Sequence, residues 1–466
     1  MQKRRVRWAA WLVPGTAALT SSLMAPALAG ADLQVNTYTT SSQARTSVAT
    51  DADGDFVVVW HSNGSSGTDT SGDSVQGQRY ASDGSTQGPQ FQVNTYTPNY
   101  QREPSVAVAP DGDFVVVWYS NGSSGTDTSA HSIQGQRYAS DGSTQSAEFQ
   151  VNTYTTSSQV YPSVAADADG KFVVVWQSSG SSGTDTGSTS IQGQRYASDG
   201  LTLGTQFQVN TNTTNNQTNP SVAAEANGDF VVAWDSYYGS SGTDTSSWNI
   251  QGQRYASDGS TPGAQFQVNT YTTAYQSTPS VAADADGDFV VVWYSLGSSG
   301  TDTSDQSIQG QRYTSNGLTQ GGEFQVNTYT PSFQRYPSVA ADAGGDFVVV
   351  WYSVGSSGTD PSGYSIQGQR YASGGLTQGA QFQVNTYTTD TQTYPSVAAD
   401  ADGDFVVAWQ SLGSSGTDTD GFSIQVQRFE VPPAASPVPS MSSATRFALA
   451  AALLLLGATY ALRRRS

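Results

Sequence analysis

One aspartate recurs in the phrases GTDT or GTDP, at Asp69, Asp127, Asp185, Asp244, Asp302, Asp360 and Asp418. A carboxylate in a polar loop can serve two ends. It can offer hard oxygen to calcium, an ion held by several such oxygens, or it can accept hydrogen bonds from its own loop as an Asx turn with no ion. The spacing allows one calcium per copy, and on the sequence both readings stand. A second acidic phrase, DADGD at Asp51, Asp53 and Asp55, has the alternating oxygens that open a calcium loop. The EF-hand pattern then needs Gly at its sixth position and Glu at its twelfth, where this chain has Phe56 and Ser62. Pro110, Lys171, Asn227 and Gly344 interrupt the phrase in other copies, so a hairpin turn explains it better. The sequence demands no cofactor, and calcium is the ion its loops would suit.

Nucleophilic and acid–base chemistry finds less material. The chain has no cysteine and two histidines, His61 and His131. His61 stands where other copies carry Tyr119, Gln177, Asp235, Tyr294, Tyr352 and Gln410, which reads as a tolerated change. The residues that differ most between copies, such as Arg102, Glu103, Asp235, Trp248 and Arg335, fall in different repeats, so no single catalytic centre is visible. The chain is therefore expected not to be an enzyme. A glycan-degrading activity, for which two carboxylates suffice, is the least favoured alternative.

Charge narrows the partners. Between Leu33 and Val431, 11 Lys and Arg face 37 Asp and Glu, a net charge of −26. Nucleic acid is a poor partner for that surface; neutral sugars or divalent cations are better ones. Disorder is excluded by apolar runs such as Phe56-Val57-Val58-Val59-Trp60, one in every copy.

What positions these residues is a repeat. The valine of QVNT falls at Val35, Val93, Val151, Val209, Val268, Val326 and Val384, in steps of 58 with one of 59. A tryptophan keeps one phase (Trp60, Trp118, Trp176, Trp234, Trp293, Trp351, Trp409) and an arginine another (Arg79, Arg137, Arg195, Arg254, Arg312, Arg370, Arg428). Each copy reads as four strands. SVAAD is short, DFVVVW is apolar on both faces as a doubly covered strand must be, and SIQGQRYA and FQVNTY alternate. Asp-Gly turns join the first pair and the last pair, and the longer GSSGTDTS loop joins the middle pair.

A period of this length argues for an array or a ring. A linear stack needs atypical polar caps, and here the end copies look like the middle ones. The chain enters at LQVNTYT, Leu33 to Thr39, which is a fourth strand, and leaves after SIQVQRFE, Ser423 to Glu430, which is a third. The expected fold is thus all-β: a seven-bladed β-propeller of four-stranded repeats over 33–431, closed by its N-terminal strand. Leu33 to Tyr38 should pair with Ser423 to Phe429. The fixed tryptophans and arginines should pack between blades, with arginine able to stack on an aromatic face. The long loops share one face of the disc, the expected binding face.

The chain ends carry address signals. Residues 1–29 pair a basic start with an apolar stretch and the small-residue site Ala27-Leu28-Ala29, the layout of a secretory leader. A Pro/Ser linker spans 432–446, an apolar segment at 447–462 is the expected transmembrane helix, and 463–466 is a basic cytoplasmic tail. The stretch VPSMSSATRFALAAALLLLGATYALRRRS, Val438 to Ser466, resembles the C-terminal sorting signals of Gram-negative bacteria, most closely the Ile-Pro-Thr-Leu-Ser variant. The motif positions here are Val438, Pro439, Ser440, Met441 and Ser442. That resemblance implies a membrane protease-transpeptidase of the exosortase or archaeosortase type as a partner, cutting near Pro439 and passing the protein to the cell surface. An uncleaved membrane anchor is the alternative. The repeats are also similar to those of large secreted bacterial repeat proteins that share GQR-aromatic and F-x-VN phrases. The function expected is a surface or secreted binding propeller for extracellular glycan or matrix. The alternative is a structural envelope or matrix component with no defined ligand.

Overall fold

The computed structural model describes residues 27–28 and 32–431, apart from positions 124, 186–187, 240–241, 245–246, 298–299, 303–304, 356–357, 361–362 and 414–415. The rest of the expected leader, the linker with its sorting motif, the membrane segment and the basic tail lie outside the described residues. The chain divides into two units, Met1–Glu430 and Val431–Ser466, and the described residues other than Val431 belong to the first. No helix among the described residues is long and apolar enough to cross a membrane.

The seven copies of the repeat fold as seven antiparallel sheets. In blade 1 the strands are Gln43–Thr50, Phe56–Asn63, Asp73–Tyr80 and Phe91–Gln92, hydrogen-bonded in that order. The second strand is apolar on both faces because both are covered. Phe56, Val58 and Trp60 pack on Val406 and Ala408 of blade 7, while Val57 and Val59 pack on Phe114 and Trp118 of blade 2. All seven repeat tryptophans are fully buried, and truncating one to Ala would cost roughly 3–5 kcal/mol. The first strands meet one another around the axis. Blade 1 meets blade 7 where Thr50 Oγ1 donates to the Ala399 carbonyl at 2.8 Å, which closes the ring.

The N-terminal segment supplies the missing fourth strand of blade 7, over a shorter span than Leu33 to Tyr38. Leu33 pairs with Val426 and Gln34 with Gln425, and Val35 N–H donates to the Ile424 carbonyl at 2.8 Å. Beyond Asn36, the amides of Thr37 and Tyr38 turn away to Gln90 Oε1 of blade 1, so the ladder stops there. Upstream, Ala27 and Leu28 of the expected cleavage site pair with Glu430 and Phe429 on the same edge. Asp32 repeats the role of Gln90. Its carboxylate accepts from the amides of Thr386 (2.9 Å) and Tyr387 (2.8 Å), tying blade 7 to blade 6.

The closure leaves a mark in side-chain volume. In blade 1 Gly77 pairs with Phe91, and a Cβ on Gly77 would sit 2.6 Å from the Phe91 ring. Blade 7 replaces both members: the glycine is Val426 and the phenylalanine is Leu33, so one side of the pair grows as the other shrinks.

Four of the repeated arginines, Arg79, Arg137, Arg195 and Arg254, staple one blade to the next rather than stack on an aromatic ring. Arg79 Nη1 and Nη2 donate to the carbonyls of Asp141 (2.6 Å) and Ser140 (2.7 Å) in the next blade's outer turn. Arg137 and Arg195 make the same link to 198–199 and 257–258. The guanidinium satisfies turn carbonyls that a stacked geometry would leave bare. These staples and all Asp-Gly turns occupy one face of the disc, and the longer middle loops occupy the other.

Candidate binding site at the axial ring

The seven loop aspartates are buried and engaged within the fold. Asp69 Oδ1 accepts from the Ser71 amide at 3.1 Å, an Asx turn, and its Oδ2 accepts from Asn94 Nδ2 at 2.7 Å. Asp127, Asp185, Asp244, Asp302, Asp360 and Asp418 each meet the equivalent asparagine, at 2.6 to 3.0 Å. That asparagine is the Asn of QVNT. Its other side accepts from a third-strand amide, as Val75 N–H does to Asn94 Oδ1 at 2.8 Å. The two phrases that repeat most faithfully are thus the two halves of one loop lock, which needs no ion to hold it. Among the described residues no group of three or more His, Cys, Asp or Glu is placed to hold a metal. In the DADGD phrase, Asp51 Oδ1 accepts from the amides of Asp53 and Asp55, a hairpin turn.

The residues that differ between copies converge elsewhere. Each first strand carries a β-bulge near its start. In blade 1 Ala44 pairs with His61 but Ser47 pairs with Val59, so Arg45 and Thr46 together oppose Trp60. The bulged residue takes a left-handed conformation in every blade. It is Arg45 (φ 55°), Glu103 (51°), Tyr161 (55°), Asn219 (51°), Thr278 (55°), Tyr336 (49°) or Tyr394 (52°). None is glycine, so each costs roughly 1–2 kcal/mol, and such strain and such bulges gather at functional sites. The previous blade's second strand holds the bulge in place: Arg45 N–H donates to Gln410 Oε1 at 3.1 Å, and Thr278 N–H to Asp235 Oδ1 at 2.9 Å.

Because the first strands are innermost, these bulges form a ring around the axis at the long-loop end. Neighbours in the ring touch. The Arg45 guanidinium lies 3.7 Å from the centre of the Tyr394 ring, and its Nε lies 3.3 Å from Glu103 Oε1. Tyr336 meets Tyr394 at 4.7 Å edge-on, Tyr294 meets Tyr336 at 6.1 Å, and Tyr119 meets Tyr161 at 6.2 Å. Arg102, Glu103, Asp235, Trp248 and Arg335, which the sequence scatters over separate repeats, all occupy columns of this one ring. So do His61, Tyr119 and Tyr352 on the second strands and Asp73, His131 and Tyr364 at the starts of the third.

Burial sets the electrostatics. It pushes His61 down to about 4, against the pull of Asp73, so this imidazole is neutral near pH 7. His131 is lowered by the same cause, with Arg102 adding to it. Burial lifts Glu103 in spite of Arg45 and Arg102, and lifts Tyr119 and Tyr352 to about 12. Asp235 rises to about 7, burial outweighing the bonds from Asn219, Ser277 and Thr278. The ring therefore sets neutral tyrosine and histidine side chains beside Arg335 and the pairs Arg45–Glu103 and Arg102–Asp73.

The opposite mouth is built differently. There the axial cavity, about 240 Å³, is lined by the first turns of all seven blades, including Asp51, Asp167, Glu225, Asp284, Asp342 and Asp400. Burial raises Asp51, Glu225 (to about 7), Asp284, Asp342 and Asp400. These groups repeat from blade to blade, whereas the long-loop ring varies.

No protein-family model matches the chain, and no curated protein matches it. Among solved structures, an ulvan lyase of polysaccharide lyase family PL25, bound to -[GlcA(1-4)Rha3S]-, superposes with a TM-score of 0.50 at 11% identity, over 84% of this chain and 94% of its own. A Dyadobacter fermentans protein of unknown function gives 0.48 at 10% identity, over 86% and 98%. A Penicillium chrysogenum α-L-arabinanase complexed with arabinobiose gives 0.43 at 16%, over 69% and 92%. At such identities the likeness is one of fold alone.

Proposed function

We propose that this chain is a non-enzymatic binding propeller of the cell surface that takes extracellular polysaccharide at the axial ring of its long-loop end. The observation that carries this reading is the ring itself. Seven bulged residues in strained backbone sit at one level, rich in tyrosine, and differ from blade to blade within a frame that otherwise repeats. Aromatic faces beside a few fixed polar groups are what a saccharide needs: stacking for its C–H faces and hydrogen bonds for its hydroxyls. A purely structural matrix component gives no reason for that strain.

Binding rather than cleavage is supported by the state of the carboxyl groups. Asp235 is 1% exposed, and its oxygens accept from Asn219 Nδ2 (2.8 Å), Ser277 Oγ (2.7 Å) and the Thr278 amide (2.9 Å). Glu103 is paired with Arg45. Neither is free to attack or protonate a glycosidic oxygen. Export by the leader and handling at Pro439 by a sorting protease-transpeptidase would bring the ring to the outer surface.

The test is a glycan array, followed by titration of the best ligand into wild type, Tyr336→Ala and Tyr394→Ala. Affinity should fall tenfold or more in either variant while the fold survives a melting control. No binding of wild type to any glycan would overturn the reading. New reducing ends or unsaturated products from a bound polysaccharide would overturn its non-enzymatic half.

A further inference from the structure

Of the 11 Lys and Arg between Leu33 and Val431, seven are the repeated arginines and an eighth is Lys171, paired with Asp169. The remaining three, Arg45, Arg102 and Arg335, all lie at the starts of first strands in the axial ring. Two of them are neutralised by a carboxylate: Arg45 by Glu103 and Arg102 by Asp73. Arg335 stands in the same column as Arg102, and the residue it reaches is in the same column as Asp73, yet that residue is Gln306. Its Nε donates to Gln306 Oε1, its guanidinium lies 4.4 Å from the centre of the Phe333 ring, and it is bonded to Tyr352. Among the described residues no carboxylate pairs with it.

We infer that Arg335 is the oxyanion subsite of the ring and that the ligand is an acidic saccharide, carrying a uronate carboxylate or a sulfate ester; this rests on the polysaccharide reading above. A guanidinium owns five N–H donors in a fixed fork suited to planar oxyanions. Its neutral partners consume only part of that capacity and none of its charge. Beside it stand the half-buried Tyr336 and Tyr364, Tyr336 stacked on the buried Tyr352 at 5.6 Å, so a sugar ring held by its acid would find Tyr336 and Tyr364 beside it. The global charge of −26 sets a limit on the ligand. A densely charged polyanion is repelled by the whole disc. An isolated oxyanion at Arg335 is screened from distant carboxylates beyond roughly 8 Å at physiological salt. The acidic units of the ligand are therefore expected to be spaced by neutral ones.

The test titrates the full chain with three sets of oligosaccharides of matched length: uronate-bearing, sulfated and neutral. One acidic set should bind at least tenfold tighter than the neutral set, and which one it is identifies the oxyanion. Arg335→Gln should remove that preference, so that the acidic and neutral sets bind the variant with equal affinity. Gln306→Asp should do the same with the arginine still present, by copying the Asp73 pairing. Asp73→Gln, which frees Arg102, should strengthen acidic binding. Equal affinity for acidic and neutral sets, or an acidic preference that survives both Arg335→Gln and Gln306→Asp, would overturn the subsite while leaving the polysaccharide reading intact. Failure to bind all three sets would instead overturn the polysaccharide reading, and the subsite with it.

Discussion

Asp235 shows how one side chain can be both a support and a liability. It fixes the bulge of the next blade through the Thr278 amide, but burial raises it to about 7, far above an unfolded aspartate. The folded state therefore binds this proton more tightly than the unfolded one. Between about pH 4 and pH 7 stability should fall as pH rises, by at most about 1.4 kcal/mol per unit for this single group. Asp51, Glu225, Asp284, Asp342 and Asp400 are raised by burial too and add to the same slope. Denaturant melts of wild type and Asp235→Asn across that range should show a shallower slope in the variant. An identical slope would mean that Asp235 is ionised in the fold. None of this was legible in the sequence, where Asp235 is one polar residue in a column that also holds His, Tyr and Gln. The bulge was hidden for a different reason. In six copies the bulged residue precedes proline, a position biased towards extended backbone, and neither Glu103 nor Tyr336 advertises a positive φ. What the sequence did offer was column-by-column variation: the columns of residues 44, 45, 61 and 73 change chemistry from copy to copy while those of Gln43, Ser47, Trp60 and Ser62 hold still.

The strand is the scale at which the sequence is most legible, since period-two alternation and Asp-Gly turns follow directly from which faces are covered. Closure is written there more finely than the strand phases alone suggest. Val426 for glycine and Leu33 for phenylalanine are compensating changes at one cross-strand pair, and both stand out when the seven copies are aligned by their period. Leu33→Phe alone should destabilise the chain by roughly 1–3 kcal/mol through overpacking against Val426. Adding Val426→Gly should recover most of that loss, a coupling that a double-mutant cycle measures. Additive effects would show that the two side chains do not meet. The middle loop makes its own prediction. Asp302→Asn removes an acceptor from a buried pair with Asn327, which should cost about 1–3 kcal/mol. That cost should be the same in millimolar calcium as in a chelator. A calcium-dependent rise in wild-type melting temperature, lost in the variant, would instead make these aspartates ligands.

At the scale of the whole molecule, repetition and variation divide the work. Seven buried tryptophans, seven loop locks and a series of inter-blade arginine staples build a disc whose ends are joined by residues 27–28 and 32–36; the seven blades and the closing strand at Leu33 followed from counting a period, the locks, the staples and the pairing of 27–28 did not. The varied residues use that frame to meet at the axis, which no linear reading shows because the ring's members are about 58 positions apart. The most direct measurement is the experimentally determined structure of the chain bound to its tightest oligosaccharide. The account predicts one saccharide at the long-loop end of the axis, a sugar face against Tyr336 or Tyr394 and its acidic group on Arg335. Saccharide lodged separately in the loops around Asp69 to Asp418, or in the opposite mouth beside Asp51 and Glu225, would contradict it.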